Sequence, residues 1–148
     1  MPLNPIILGQ ELITEFLSAI QEDLIAYMQS ENRNASGKSV RSLQVNATQT
    51  SGQLIGAPYI EFVFRGRAPG KLPPLSAIID WLNSRGLPRG MAWNVAKKIA
   101  EAGTKLWQQG RNVLNEIITE DRIKGFTDKI LASYKAQIET EIQTLIAA

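Results

Sequence analysis

Every fourth residue from Leu8 to Met28 is apolar: Leu8, Leu12, Phe16, Ile20, Leu24 and Met28 recur at one-turn intervals, and Ile13, Leu17 and Ile25 widen the stripe. That spacing gathers them on one face of an α-helix over residues 5–31. Pro5 suits its first turn, where a missing N–H costs nothing, while Glu11, Glu15, Glu22 and Asp23 fall on the opposite face. A helix with one apolar face draws most of its stability from a partner surface, so the remainder of the chain has to supply one.

Residues 31–39 are polar, with Asn32, Asn34, Ser36 and Gly37 favouring a turn. Residues 40–50 then alternate loosely around Leu43, Val45 and Ala47, and Ser51-Gly52 reads as a turn. Residues 54–64 form a second extended run holding Ile55, Tyr59, Ile60, Phe62, Val63 and Phe64. β-Branched and aromatic residues on both sides of a glycine turn predict a hairpin, with Pro58 marking a strand start, an edge or a bulge.

Residues 65–74 contain two Gly and three Pro, a content incompatible with regular structure. Pro73-Pro74 extends the exit of this loop, and Pro74 sits at or just before a helix start. That helix carries Leu75, Ile78, Ile79 and Leu82 on one face with Trp81 beside them, and stops at Gly86. Another runs from about residue 91 to 102, with Met91, Ala92, Val95, Ala96 and Ile99 inward, Lys97 and Lys98 outward, and Gly103 at its end. From Arg111 onward the pattern is helical again. Val113, Leu114, Ile117 and Ile118 make one stripe, Ile130, Leu131, Tyr134, Ile138, Ile142 and Leu145 another, with Gly125 as the expected break. The C-terminal stripe either closes the core of the subunit or packs on a neighbour.

The order is helix, two or three antiparallel strands, then several helices. It predicts an α+β fold in which the long N-terminal helix packs on a small antiparallel sheet. At 148 residues the chain reads as a single domain, 1–148, with an α+β core over 1–110 and a helical C-terminal extension over 111–148.

The absence of cysteine and histidine narrows the chemistry. Disulfides, thiol nucleophiles and Cys/His zinc sites are excluded, and so is the commonest general base. What remains is carboxylate, Lys, Tyr or hard-metal chemistry. The adjacent acids Glu22-Asp23 and Glu120-Asp121 form no acid/base dyad at a helical spacing and read as solvated faces. The residues 65–74 do not match a phosphate-cradling loop, since Gly66 and Gly70-Lys71 have the wrong spacing and Leu72 stands where a hydroxyl is needed. The expectation is a non-enzymatic protein with no catalytic residue, cofactor or metal. The start, Met-Pro-Leu-Asn-Pro, lacks a basic signal region and no apolar run is long enough for a membrane span, which predicts folding in a cytoplasm.

Charge is unevenly placed. Residues 1–64 carry −3, residues 65–111 carry +7, and residues 112–148 carry −2. A central block of one sign implies an acidic partner surface, protein or nucleic acid. Its loop cations, Arg65, Arg67 and Lys71, are open to three readings: a solvated loop, a subunit contact or a DNA contact. Trp81 and Trp93, in amphipathic helical segments, are expected in the core, and Trp107 at an interface.

The distinctive stretch runs from Tyr59 and Glu61 through Gly66-Arg67, Pro69-Gly70-Lys71 and Pro73-Pro74. It continues with Ile78, Trp81 and Leu82, then Gly86-Leu87, Ala92-Trp93, Ala96-Lys97-Lys98-Ile99 and Gly103-Thr104. It resembles the tail-completion or head–tail joining (neck) proteins of long-tailed bacteriophages, and the resemblance reaches Ser36-Gly37-Lys38 and Ser42-Leu43 to cover roughly residues 1–110. Two features depart from it: Arg65 makes the loop more basic, and the two-stripe C-terminus is long.

The resemblance implies a structural virion protein, assembled in the host cytoplasm and ending in the neck of the particle. It implies a cyclic homo-oligomer, a hexamer or dodecamer, that joins connector or portal-side proteins to the tail tube or tail terminator, with at most weak DNA contact in the lumen and no membrane. The residues expected to face partners are Arg65, Gly66, Arg67, Pro69, Gly70, Lys71, Pro73, Pro74, Lys97, Lys98 and Trp107. Two other classes stay open. A DNA-binding or packaging accessory protein would use the basic 65–111 block, and a carboxylate- and metal-dependent hydrolase, ranked last, would have only Asp80 and Glu101 within that block.

Overall fold

The N-terminal helix forms as its spacing predicts. In the computed structural model, which describes residues 6–31 and 37–147, α1 spans Ile6–Ser30. The expectations for Pro5, Asn32, Asn34 and Ser36, and for the side chain of Leu8, lie outside the described residues. Along the stripe, Ile20, Leu24 and Met28 are buried and Leu12 and Phe16 half-buried, while Glu11, Glu15, Glu22 and Asp23 are exposed.

The small antiparallel sheet is present, shorter than expected. β1 (Gln44–Ala47) pairs with β2 (Gly52–Ile55) so that Ala47 faces Gly52 and Gln44 faces Ile55. The turn occupies residues 48–51 rather than Ser51-Gly52. Thr48 sets it: its Oγ1 accepts the Ser51 N–H at 3.0 Å, and its N–H donates to the Ser51 carbonyl at 2.7 Å. Gly52 is thereby a strand residue, and a Cβ there would stand 2.3 Å from Ile13 Cγ2 and 2.7 Å from Leu17 Cδ1. Its lack of a side chain is what lets α1 lie against the hairpin, where Gln10 Nε2 also donates to the Ala47 carbonyl at 3.2 Å.

The second extended run is not a strand beyond Ile55. A turn follows, with the Ile60 N–H donating to the Ala57 carbonyl at 2.8 Å, and α3 (Ile60–Arg65) takes the rest. The composition favours a strand, but burial has a helical period: Ile60, Val63 and Phe64 turn inward while Glu61, Phe62 and Arg65 face out. Burial of the inward face overrides propensity here, and the buried Phe64 ring lies tilted 6.0 Å from that of Tyr27. The first extended run is likewise shortened, because α2 (Lys38–Ser42) occupies its beginning.

The remaining elements are α4 (Leu75–Ser84), a 3-10 turn (Arg89–Met91), α5 (Ala92–Ala102), α6 (Lys105–Gln108), α7 (Val113–Ile117) and α8 (Glu120–Ala147). Gly86 and Gly103 follow α4 and α5 with φ of 67° and 75°, positive values that glycine adopts without strain. Gly125 breaks nothing: α8 runs through it, and the interruption falls at residues 118–119 instead. Thr119 caps the new helix, its Oγ1 accepting the Arg122 N–H at 3.2 Å, and Glu120 and Asp121 place negative charge in the first turn.

The chain divides into two compact units. The first holds Met1–Asp23, Gln44–Ile55 and Ile118–Ala148, the second Leu24–Leu43 and Gly56–Ile117. In the first, α1 and α8 meet through stacked Phe16 and Phe126 rings, 4.3 Å between centroids, and through ion pairs Asp23–Arg122 (2.6 Å) and Glu15–Lys129 (3.6 Å). Of the C-terminal stripe, Ile130 and Tyr134 are half-buried, whereas Leu131, Ile138, Ile142 and Leu145 are exposed. In the second, the core is made of Leu24 and Met28 from α1, Leu43 after α2, Phe64, Leu82, Ala92 with Ala96, Leu106 and Val113. There α4 packs on α5, and α3 lies beside α6 and α7.

Candidate interaction surface

All eleven residues expected to face partners belong to the second unit. The loop that carries most of them leaves α3 at Gly66, which is buried and has φ 76°. A Cβ on Gly66 would meet the Trp107 backbone N at 2.5 Å and Thr104 Oγ1 at 2.6 Å. The chain is therefore pressed against the start of α6. Three hydrogen bonds fasten it: the Arg67 N–H donates to the side-chain Thr104 Oγ1 (2.9 Å), the Thr104 N–H to the Arg67 carbonyl (3.0 Å), and the Gly70 N–H to the Ala100 carbonyl (2.8 Å). Gly103 makes room from the other side, since its Cβ would lie 2.8 Å from the Arg67 carbonyl and 3.2 Å from Pro69 Cδ.

The side chains divide into two groups. Arg67 is turned into its own unit, with its guanidinium 5.1 Å from the Phe62 ring centroid and its Nη2 donating to the Leu72 carbonyl at 3.4 Å. Pro73 is buried, and the Pro74 carbonyl accepts the first bonds of α4 from the Ala77 and Ile78 N–H groups, at 3.1 and 3.3 Å. Arg65, Pro69, Gly70 and Lys71 are exposed, as are Lys97 and Lys98 on the outer side of α5. The loop, the end of α5 and Trp107 thus form one docked assembly. Of the two residues that hold it, Thr104 belongs to the Gly103-Thr104 pair that ends the distinctive stretch of sequence, though with no role as a fastening, and Ala100 was not singled out.

Trp81 and Trp93 correct the expectation of core packing, being 39% and 54% exposed, and Trp107, expected at an interface, is 47% exposed. The inward positions of α4 and α5 are filled by Leu82 and by the small Ala92 and Ala96, so the adjacent tryptophans are carried outward. Trp81 lies under the Arg85 guanidinium, 5.3 Å from its ring centroid. Leu72, Leu75, Leu87 and Met91 are also exposed in this unit.

Beside the loop, Arg65, Trp107, Gly110, Arg111 and Asn112 line an open cleft of about 390 Å³. Arg111 is held by a two-pronged pair to Glu116, Nε to Oε1 at 2.7 Å and Nη2 to Oε2 at 2.9 Å. Those hydrogen bonds keep the Glu116 carboxyl below its ordinary pKa and raise that of Arg111. Among the described residues, no group of three His, Cys, Asp or Glu is arranged to hold a metal ion. The surface presents exposed cations and aromatic faces beside the fastened loop. No family model, curated relative or solved structure matches the chain.

Proposed function

We propose that this chain is a structural subunit of a bacteriophage neck, joining the connector to the tail as one member of a ring. The loop of residues 65–74 is the observation that carries the reading. Its backbone is clamped to Thr104 and Ala100 while Arg65 and Lys71 project from it, which is a prepaid geometry for docking. Three exposed tryptophans in the same unit supply the aromatic anchors that interfaces favour, and apolar surface of this kind is stabilised when a partner covers it. The resemblance over residues 1–110 supplies the identity of the partners: connector on one side, tail tube or terminator on the other.

The test uses purified full-length chain with purified connector rings and with tail tubes, scored by co-sedimentation and electron microscopy. Incorporation of a ring of this chain on either partner, reduced by Lys71→Glu, supports the reading. A chain that binds neither partner but binds duplex DNA at low salt overturns it in favour of the nucleic-acid accessory class.

A further inference from the structure

The cleft lined by Arg65, Trp107, Gly110, Arg111 and Asn112 is one-sided in its hydrogen-bonding chemistry. Its side-chain acceptors are already engaged. Asn112 Oδ1 accepts the Leu114 N–H at 3.1 Å, and the Glu116 carboxylate takes both prongs of Arg111, at 2.7 and 2.9 Å. What remains is donors. The guanidinium of exposed Arg65, Nη1 of Arg111, Nδ2 of Asn112 and Nε1 of Trp107 make no hydrogen bond among the described residues. We infer that this cleft recognises an acidic peptide segment of a partner protein, taking an Asp or Glu carboxylate at the arginines and an aromatic neighbour on the Trp107 ring.

The donors are held before any ligand arrives. The Arg111 guanidinium is fixed by Glu116 on one edge and lies 5.7 Å from the Tyr27 ring centroid. The turn between α6 and α7 is tied by the Gly110 N–H to the Trp107 carbonyl (2.9 Å) and the Arg111 N–H to the carbonyl of buried Leu106 (3.4 Å). Gly110 brings no side chain to the cleft, while the Trp107 ring stays 47% exposed. All of these residues lie in the second unit.

Charge selects the occupant. Arg65 and Arg111 against Glu116 leave one net positive charge, which one carboxylate matches and an arginine fork suits. A nucleic-acid strand, charged at every phosphate, calls for a track of cations, and only two cations line this recess. The inference shares with the neck reading the premise that this surface meets a protein, but it fails or stands separately from that reading. Its test uses no phage component.

The probes are the blocked peptide Gly-Glu-Phe-Gly, its Gly-Gln-Phe-Gly counterpart and a short oligothymidylate, each titrated into the full chain and followed by nitrogen-15 NMR. Three tryptophans give three indole signals, and Trp107→Phe identifies the one that reports the cleft. The Glu peptide is expected to shift the Trp107 indole and Asn112 amide signals and to bind at least about tenfold more tightly than the Gln peptide. Arg65→Gln is expected to weaken the Glu peptide at least about tenfold. Arg89→Gln removes the same charge from an exposed site of the same unit outside the cleft and leaves binding unchanged. Equal binding of the two peptides, unshifted cleft signals, or equal losses in Arg65→Gln and Arg89→Gln overturn the inference. Tighter binding of oligothymidylate at the same signals overturns it in favour of nucleic acid. Should Arg65→Gln lower the melting temperature, the comparison of the two peptides on wild type decides alone. Peptide binding by a chain that joins no connector or tail upholds the inference and sinks the neck reading, and a chain that joins them without binding the peptide does the reverse.

Discussion

Thr104 and Arg67 hold each other twice: Thr104 Oγ1 accepts the Arg67 N–H at 2.9 Å, and the Thr104 N–H donates to the Arg67 carbonyl at 3.0 Å. The hydroxyl is the replaceable half of that clasp. Thr104→Val keeps the shape and leaves a part-buried N–H without its acceptor, which costs about 1–2 kcal/mol. Thr104→Ser keeps the bond and is expected near wild type. Urea unfolding gives the stability difference, and hydrogen exchange at the Arg67 amide gives its location. Unchanged exchange at Arg67 in Thr104→Val rules the clasp out.

Gly66 and Gly103 make the close approach possible, and their substitution is expected to be costly for two reasons at once. Both have positive φ, and an added Cβ meets backbone, the Trp107 N at 2.5 Å from Gly66 and the Arg67 carbonyl at 2.8 Å from Gly103. Gly110 also has a positive φ, 64°, but its Cβ would meet open space. Gly66→Ala and Gly103→Ala should therefore lose clearly more than the about 1–2 kcal/mol of left-handed strain that Gly110→Ala incurs. Equal losses at all three positions, measured by chemical denaturation, would show that the packing around the loop contributes nothing.

Gly125 is the opposite case. It lies inside α8, its φ is not positive, and nothing stands within 4 Å of where its Cβ would be. Gly125→Ala is expected to stabilise the chain by about 0.5–1 kcal/mol, because alanine loses less backbone entropy in a helix. A lower melting temperature would mean that the helix needs a flexible point there after all.

These positions also show what was legible in the sequence and why. The four-residue spacing of Leu12, Phe16, Ile20, Leu24 and Met28 reports α1 directly, because burial there repeats with the helix period over several turns. The Pro and Gly content of residues 65–74 reports a loop, because neither residue type sustains a ladder or helix at that density. Over Ile60–Arg65 the same reasoning fails: one and a half turns are too short for periodicity to outweigh the strand preference of Ile, Val and Phe. Trp81 and Trp93 are misplaced because Leu82, Ala92 and Ala96 hold the inward positions, and alanine contributes weakly to any apolar pattern. The loop of residues 65–74 was legible as a stiff basic excursion. Its fastening to Ala100 and Thr104 was not, since bonds to distant backbone leave no periodic trace.

Glu116 should titrate abnormally. Its hydrogen bonds to Arg111 depress its pKa in the folded chain, while the unfolded chain has the ordinary carboxylate value. The folded state then binds the proton less readily, so the pair contributes stability above the ordinary Glu range, and that contribution is lost as pH falls through the depressed value. Carbon-13 NMR of the side-chain carboxyl is expected to give a midpoint below that of an unperturbed Glu. The stability gap between wild type and Glu116→Gln is expected to narrow in the same acid range. An ordinary midpoint would mean that the Arg111 pair is not maintained in solution.

Arg67 and Lys71, both loop cations expected to face a partner, separate in what their reversal should do. Arg67 is half-buried, lies over Phe62 and donates to the Leu72 carbonyl, so Arg67→Glu removes contacts within its own unit. A loss of about 1–2 kcal/mol follows from the forfeited cation–π contact and hydrogen bond. Lys71 is exposed and bordered by Gly70, so Lys71→Glu is expected within about 0.5 kcal/mol of wild type. A loss of connector or tail binding in Lys71→Glu therefore reports the interface itself. The same loss in Arg67→Glu is ambiguous between docking and loop shape, and Arg67→Lys divides the two. Lysine keeps the charge but not the planar guanidinium over Phe62, so binding retained in Arg67→Lys assigns the charge to the partner, and binding lost with a lowered melting temperature assigns Arg67 to holding the loop.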